Sequence, residues 1–174
     1  MHSTFVKGGS GICGTRMEFP LHSQYDSPMT QPLSHDGSPR LVFIGHIETP
    51  YETQDDCPYT VNPGGPLCRI VVDPPYAPGL KGLAAGDRVL VLYWLDRADR
   101  DRPLIGVRRS GKVAGAFAAR TPHRPNPVGA AVVTIEGIEG PVVQVRGLDC
   151  VTGTPLLDLK PAMRAEAPAG GPGV

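Results

Sequence analysis

The sequence predicts an all-β domain, an antiparallel β-barrel with short helical turns. Three observations predict it. Short runs rich in Val, Ile and Leu recur between residues 41 and 161, as half-buried strands require. Turn residues part them, in "NPGGP", "PPYAPG", "AAGD" and "EGIEGP", where Gly and Pro set backbone angles that strands cannot hold. Helical periodicity is nearly absent, and 22 glycines with 20 prolines suit many strands and tight loops.

Residues 1–39 lack any sustained pattern. "KGGSGICG" and "SPMTQPLSHDGSPR" are rich in Gly, Ser and Pro and predict a disordered N-terminal tail. The barrel domain is expected over 40–164, with a second tail over 165–174. Strands are predicted at "LVFIGHI" (41–47), "LCRIVV" (67–72) and "RVLVLYWL" (88–95). Tyr93 and Trp94 fall on opposite faces of the third. "WLDRADRDRPL" supports a short turn at most. Further strands are predicted at "VAGAFAA" (113–119), "AAVVTIEGI" (130–138) and "VVQVRGL" (142–148). "IEGIEGPVVQV" reads as a hairpin, and alternation puts Gln144 and Arg146 on one face. In "LLDLK" the same alternation puts Asp158 and Lys160 together.

Lys plus Arg equals Asp plus Glu at 17 each, so net charge names no partner. The distribution is uneven: from Arg102 to Ile135 there is no acidic residue, but Arg102, Arg108, Arg109, Lys112, Arg120 and Arg124 all fall there. That block is either a solvated face or a site for an anionic ligand such as RNA phosphate. Cys13, Cys57, Cys68 and Cys150 show no C-x-x-C spacing, which argues against zinc. With no signal peptide and no membrane-length apolar run, reduced cysteines and a cytoplasmic location are expected. No G-x-G-x-x-G follows a strand, and Walker, H-E-x-x-H and G-x-S-x-G motifs are missing. A nucleotide-like cofactor would have to bind outside a Rossmann setting.

The string "RTPHRPNP" (120–127) holds three prolines. Proline fixes φ and lacks an N–H, so the string predicts a stiff extended loop that presents polar side chains. At about three residues per turn, Arg120, His123 and Asn126 would share one edge. His123 reads as an exposed loop histidine, and Cys150 as a small buried residue. In "LDCVTGTPLLDLKP" (148–161), Asp149 and Asp158 flank a Gly153-Thr154-Pro155 turn. The pair reads either as a turn with a surface Asp158–Lys160 ion pair or as two carboxylates beside a pocket.

Together "GAFAARTPHRPNPVGAAVV" and "LDCVTGTPLLDLKP" resemble the TsaA-like, or TrmO, family, with weaker support from "IGHIETPY", "CPY", "PPYAPGLKGL" and "VLYWLDRADRDR". The resemblance spans roughly 41–161. It implies a β-barrel that binds S-adenosylmethionine outside a Rossmann fold, a homodimer, and methylation of the exocyclic nitrogen of threonylcarbamoyl-adenosine beside the tRNA anticodon. By position it implies cofactor contacts at Pro58, Tyr59, Arg88, Arg109, Arg120, Gly153, Thr154 and Pro155. Asp149, Asp158 and Asn126 are the candidates at the chemistry. Arg108, Lys112, Arg124 and Lys160 are the candidates for binding the tRNA anticodon stem-loop. No metal and no membrane partner are implied.

The chain departs from the family at Thr152, where an acid is usual, at Arg88 for histidine and at Ala162 for tyrosine. The loop 101–114 is short, and the C-terminal domain of longer bacterial members is not seen. These departures leave open a same-fold methyltransferase with another acceptor, or a non-catalytic S-adenosylmethionine-binding module.

Overall fold

The computed structural model of the protein describes residues 40–106, 111 and 113–163. The predicted tails at 1–39 and 165–174 lie outside the described residues. The strands are β1 (Gly45–Glu48), β2 (Leu67–Val72), β3 (Arg88–Trp94), β4 (Leu104–Gly106), β5 (Val113–Gly115), β6 (Val128–Glu139), β7 (Val142–Arg146) and β8 (Thr154–Pro161). Six of them close a barrel in the order β1-β2-β7-β6-β3-β8, and among the described residues β4 pairs only with β5. All pairings are antiparallel, so the predicted fold class holds. Closure leaves the six strands no open edge.

Alternation fills the interior. Ile47, Cys68, Ile70, Val89, Val91, Val143, Val145 and Leu156 are almost fully buried in one core. Gln144 and Arg146 share the outer face of β7, and the β6–β7 hairpin turns at Gly140, as predicted.

Two bulges reset the alternation. On β8 the register steps from Leu92↔Asp158 to Tyr93↔Leu156, so Leu157 is the extra residue. Before it Thr154 and Leu156 face inward; after it Leu159 packs on the core while Asp158 and Lys160 face out. Were Leu157 instead paired as an ordinary strand residue, unbroken alternation would turn the Asp158 carboxylate into the apolar core. On β6 the step between Ile135 and Gly137 exchanges inward odd residues for inward Ile138 in the same way.

Several predicted boundaries differ, three of them notably. The first strand starts only at Gly45. The "VAGAFAA" run gives three strand residues and then a 3-10 turn over Ala116–Ala118, because β5 has only the short β4 to pair with. The third is the start of β6 at Val128, which follows directly on the buried Pro127.

Candidate functional site

One end of the barrel gathers four connecting segments. Antiparallel pairing sets the end of β3 beside the start of β6 (Trp94↔Val128) and the end of β1 beside the start of β8 (Ile47↔Thr154). The segments that leave these ends are hydrogen-bonded to one another. Thr49 Oγ1 donates to the Cys150 carbonyl at 2.8 Å, and the Thr152 N–H to the Tyr51 carbonyl at 2.8 Å. Gln54 Nε2 donates to the Arg97 carbonyl at 3.0 Å, and Arg97 Nη1 to the Glu52 carbonyl at 3.1 Å. The Leu95 N–H donates to the Pro127 carbonyl at 2.8 Å. The Asp99 N–H donates to His123 Nδ1 at 3.2 Å. His123 is therefore half-buried and pins the proline string, instead of standing exposed as expected.

At this rim the core meets a carboxylate. Tyr93 is 3% exposed, and its hydroxyl donates to Asp149 Oδ1 at 2.5 Å. Burial, then the Asp149 charge, pushes the Tyr93 hydroxyl far above the usual phenol range, with Arg120 opposing. The Cys57 thiol is also raised, by burial first and then by the charge of Asp149. Burial pushes the Cys150 thiol up to about 12. Cys57 and Cys150 thus feel the charge of Asp149, and Arg120 acts on the Tyr93 hydroxyl.

The turn after Asp149 offers acceptors. Its N–H groups are spent inside the protein: Thr152 on Tyr51, Gly153 on the Ile47 carbonyl at 2.8 Å and Thr154 on the Val151 carbonyl at 3.3 Å. Gly153 holds φ +81°, a left-handed angle suited to glycine. Asp149 itself is half-buried at this rim, and a carboxylate there suits a ligand rich in hydrogen-bond donors.

The structure sorts the predicted residues into three groups. Arg120, Arg124, Asn126, Asp149, Gly153, Thr154, Pro155, Pro58 and the 84%-exposed Tyr59 belong to this rim or the segments that enter it. Arg120 donates to the Ala130 carbonyl at 3.0 Å. Arg124 donates to the Ala119 carbonyl at 2.9 Å and lies over the Phe117 ring at 5.9 Å, so it braces the loop. The Thr154 side chain is buried and bonded to the Val151 carbonyl at 2.7 Å, which leaves it as a turn residue with no hydroxyl to offer a cofactor.

Arg88 starts β3 and Lys160 pairs with Leu90, both away from this rim, while Asp158 pairs with Leu92 and lies at mid-strand on the outer wall. Arg88 precedes Tyr93 by five strand residues, roughly 16 Å. Asp158 is held by Lys160 Nζ at 2.5 Å and by the Leu159 N–H at 2.8 Å. The surface ion pair is thus the correct reading of "LLDLK", and Asp158 does not join Asp149. An apolar groove of about 340 Å³ opens beside it, between Ile44, Tyr76, Leu80 and Leu83; it is remote from the Asp149 rim. Arg108, Arg109 and Lys112 lie outside the described residues.

Sequence reasoning missed Tyr93 as a site residue, placing it only on its strand. Its position in phase with Val89 and Val91 was the available signal, since a buried tyrosine hydroxyl needs a partner.

A small closed antiparallel barrel with a carboxylate and an arginine at one rim defines a ligand-binding barrel of non-Rossmann type. The chain belongs to the tRNA-methyltransferase O N-terminal domain family, whose pattern matches residues 46–166. It is 43% identical over 129 residues to "Probable S-adenosyl-L-methionine-binding protein VirR" of Rhizobium radiobacter, covering 74% of each chain. It is 35% identical over 120 residues to an S-adenosyl-L-methionine-binding protein of Archaeoglobus fulgidus, covering 69% of this chain and 86% of that one. The crystal structure of TrmO from Pseudomonas aeruginosa superposes with a TM-score of 0.62 at 27% identity, over 78% of this chain and 61% of that one. The chain thus spans about three fifths of that solved protein.

Proposed function

We propose that this protein binds S-adenosylmethionine at the Asp149 rim and transfers its methyl group to the exocyclic nitrogen of threonylcarbamoyl-adenosine in tRNA. Family membership over 46–166 supports the methyltransferase class. The observation that carries the site is the half-buried Asp149 on a turn whose N–H groups are already used. S-adenosylmethionine is rich in donors, with an ammonium, ribose hydroxyls and an adenine amine, and fits such a surface. It supplies an electrophilic methyl: the nitrogen–carbon bond forms as the sulfur–carbon bond breaks, the neutral thioether leaves and the nitrogen's proton passes to water, so no protein nucleophile is needed.

The protein's own task is orientation and exclusion of water. Asp149 accepts a donor of the bound cofactor. Arg120 and Asn126, on the proline string, orient the base that receives the methyl group. Phosphate binding falls to Arg100 together with the basic residues between β4 and β5, an electrostatic contribution that weakens with salt. A second copy of the chain completes the assembly, which sedimentation tests.

The direct test uses purified protein, S-adenosylmethionine and tRNA carrying threonylcarbamoyl-adenosine. Nucleoside mass spectrometry is expected to show a gain of one methyl on that nucleoside. A gain on a different nucleoside or on a small molecule moves the acceptor but keeps the class. Cofactor binding with no product on any acceptor leaves a binding module.

A further inference from the structure

The glycine that ends the string "RTPHRPNPVG" has a role that the string itself does not reveal. Gly129 pairs directly with Tyr93 across β6 and β3. A Cβ built on Gly129 would sit 2.1 Å from Cε2 of the Tyr93 ring and 2.5 Å from Cζ. No real side chain tolerates that approach, so the ring rests on bare backbone. This seat lets a buried phenol aim its hydroxyl at Asp149 Oδ1, at 2.5 Å, from inside the barrel. Leu95 N–H to Pro127 carbonyl, at 2.8 Å, fixes the two strand ends that carry ring and seat.

We propose that Tyr93 is a positioning residue for the cofactor site: seated on Gly129, it holds one oxygen of Asp149 so that the other faces the ligand. A carboxylate on a turn has free rotation about its side chain. A bond from the rigid interior removes that freedom before the ligand arrives, which lowers the ordering cost of binding. The Tyr93 hydroxyl bonds Asp149, and Tyr93 acts on the ligand through that carboxylate. The proposal rests on the reading of Asp149 as a cofactor acceptor.

Calorimetry with S-adenosylmethionine on the full chain tests it with four proteins: wild type, Y93F, D149A and the double variant. Y93F keeps the ring and deletes the hydroxyl. It is expected to weaken the Kd about tenfold, the scale of one charge-assisted hydrogen bond. In the D149A background the same substitution is expected to change the Kd less than about twofold, because no carboxylate remains to position. Wild-type affinity in Y93F overturns the proposal. So does a Y93F penalty that persists at full size in D149A, which would make Tyr93 a packing residue.

Full affinity in D149A overturns the reading of Asp149 and the proposal with it. A folded wild type that binds no S-adenosylmethionine overturns the proposed function itself. Where Y93F does not fold, Gly129→Ala, which displaces the ring and keeps the hydroxyl, takes its place. It is expected to weaken the Kd by a similar factor, and unchanged affinity overturns the proposal.

Discussion

Asp149 and Asp158 belong to one fourteen-residue string, "LDCVTGTPLLDLKP", yet one sits at a rim of the barrel and the other on its outer wall. Asp149 accepts from a buried tyrosine and sits where four segments are tied together by hydrogen bonds. Asp158 is outside, beside an apolar groove, and its partner is the exposed Lys160. The difference arises from the strand between them: at about 3.3 Å per residue β8 carries the chain from the rim to mid-barrel, where Asp158 pairs with Leu92, and the bulge at Leu157 turns Asp158 outward. A motif's residues share a site only where the backbone keeps them on one end and one face.

The most severe test of that contrast exchanges the two carboxylates for alanine. Asp149→Ala is expected to weaken S-adenosylmethionine binding about ten- to a hundredfold, the cost of a lost charge-assisted bond. Asp158→Ala is expected to change it less than about twofold, since surface ion pairs carry little energy. Calorimetry on the two proteins decides the matter. Equal losses would mean that rim and outer wall contribute to one site, for instance across a pair of chains.

Within the Asp149 end, the proline string separates holding from binding. Arg120→Ala and Asn126→Ala are expected to lower methyl transfer about tenfold with little change in melting temperature, as both side chains are exposed. Arg124→Ala removes the bond to Ala119 and the stacking on Phe117. It is expected to reduce the melting temperature more than the other two. Steady-state rates alongside thermal melts measure both effects. A large stability loss in Arg120→Ala with unchanged activity per folded molecule would make the string purely structural.

The barrel was legible in the sequence because alternation is written in residue type: "RVLVLYWL" and "VVQVRGL" have one possible face each. The rigid loop was equally legible from its prolines. The two bulges were not, since Leu157 and Glu136 look like ordinary strand residues and are extra only relative to their partners. Alternation alone therefore leaves Asp158 either beside a pocket or in a surface ion pair with Lys160, and Arg88 joins the candidates only through the family resemblance. The seat under Tyr93 was hidden for a similar reason. Gly129 reads as part of a family string, and its purpose appears only once β6 is laid against β3.

Proton linkage gives a smaller effect that again comes from the Asp149 end. Burial pushes the folded-state Cys150 thiol up to about 12, from an ordinary 9.0. The folded state therefore holds this proton where the unfolded state has released it. The stabilisation is complete below pH 9.0 and is lost as pH rises toward about 12. Tyr93, raised by burial in the same direction, adds to the loss at the top of the range. Melting temperature is expected to fall steadily above pH 9, and less steeply in Cys150→Ala. An equal slope in the variant would show that Cys150 is not the group that titrates.

The smallest effect is expected from Lys160→Ala. Its ammonium is tied to Asp158 at 2.5 Å, with both side chains about half exposed, and that bond raises the lysine above its ordinary value. Water screens such a pair, and holding two mobile side chains together costs entropy, so the short distance does not translate into stability. The melting temperature is expected to move by no more than about 2 °C, with S-adenosylmethionine affinity within about twofold of wild type. The Asp158 carboxylate keeps its bond from the Leu159 N–H, so removing the lysine leaves no buried charge behind. A tenfold drop in cofactor affinity would put Lys160 in contact with the ligand and end the distinction between rim and outer wall. A tenfold drop in tRNA affinity alone, read by filter binding at fixed salt, would instead place this wall on the nucleic-acid path while leaving the cofactor at Asp149.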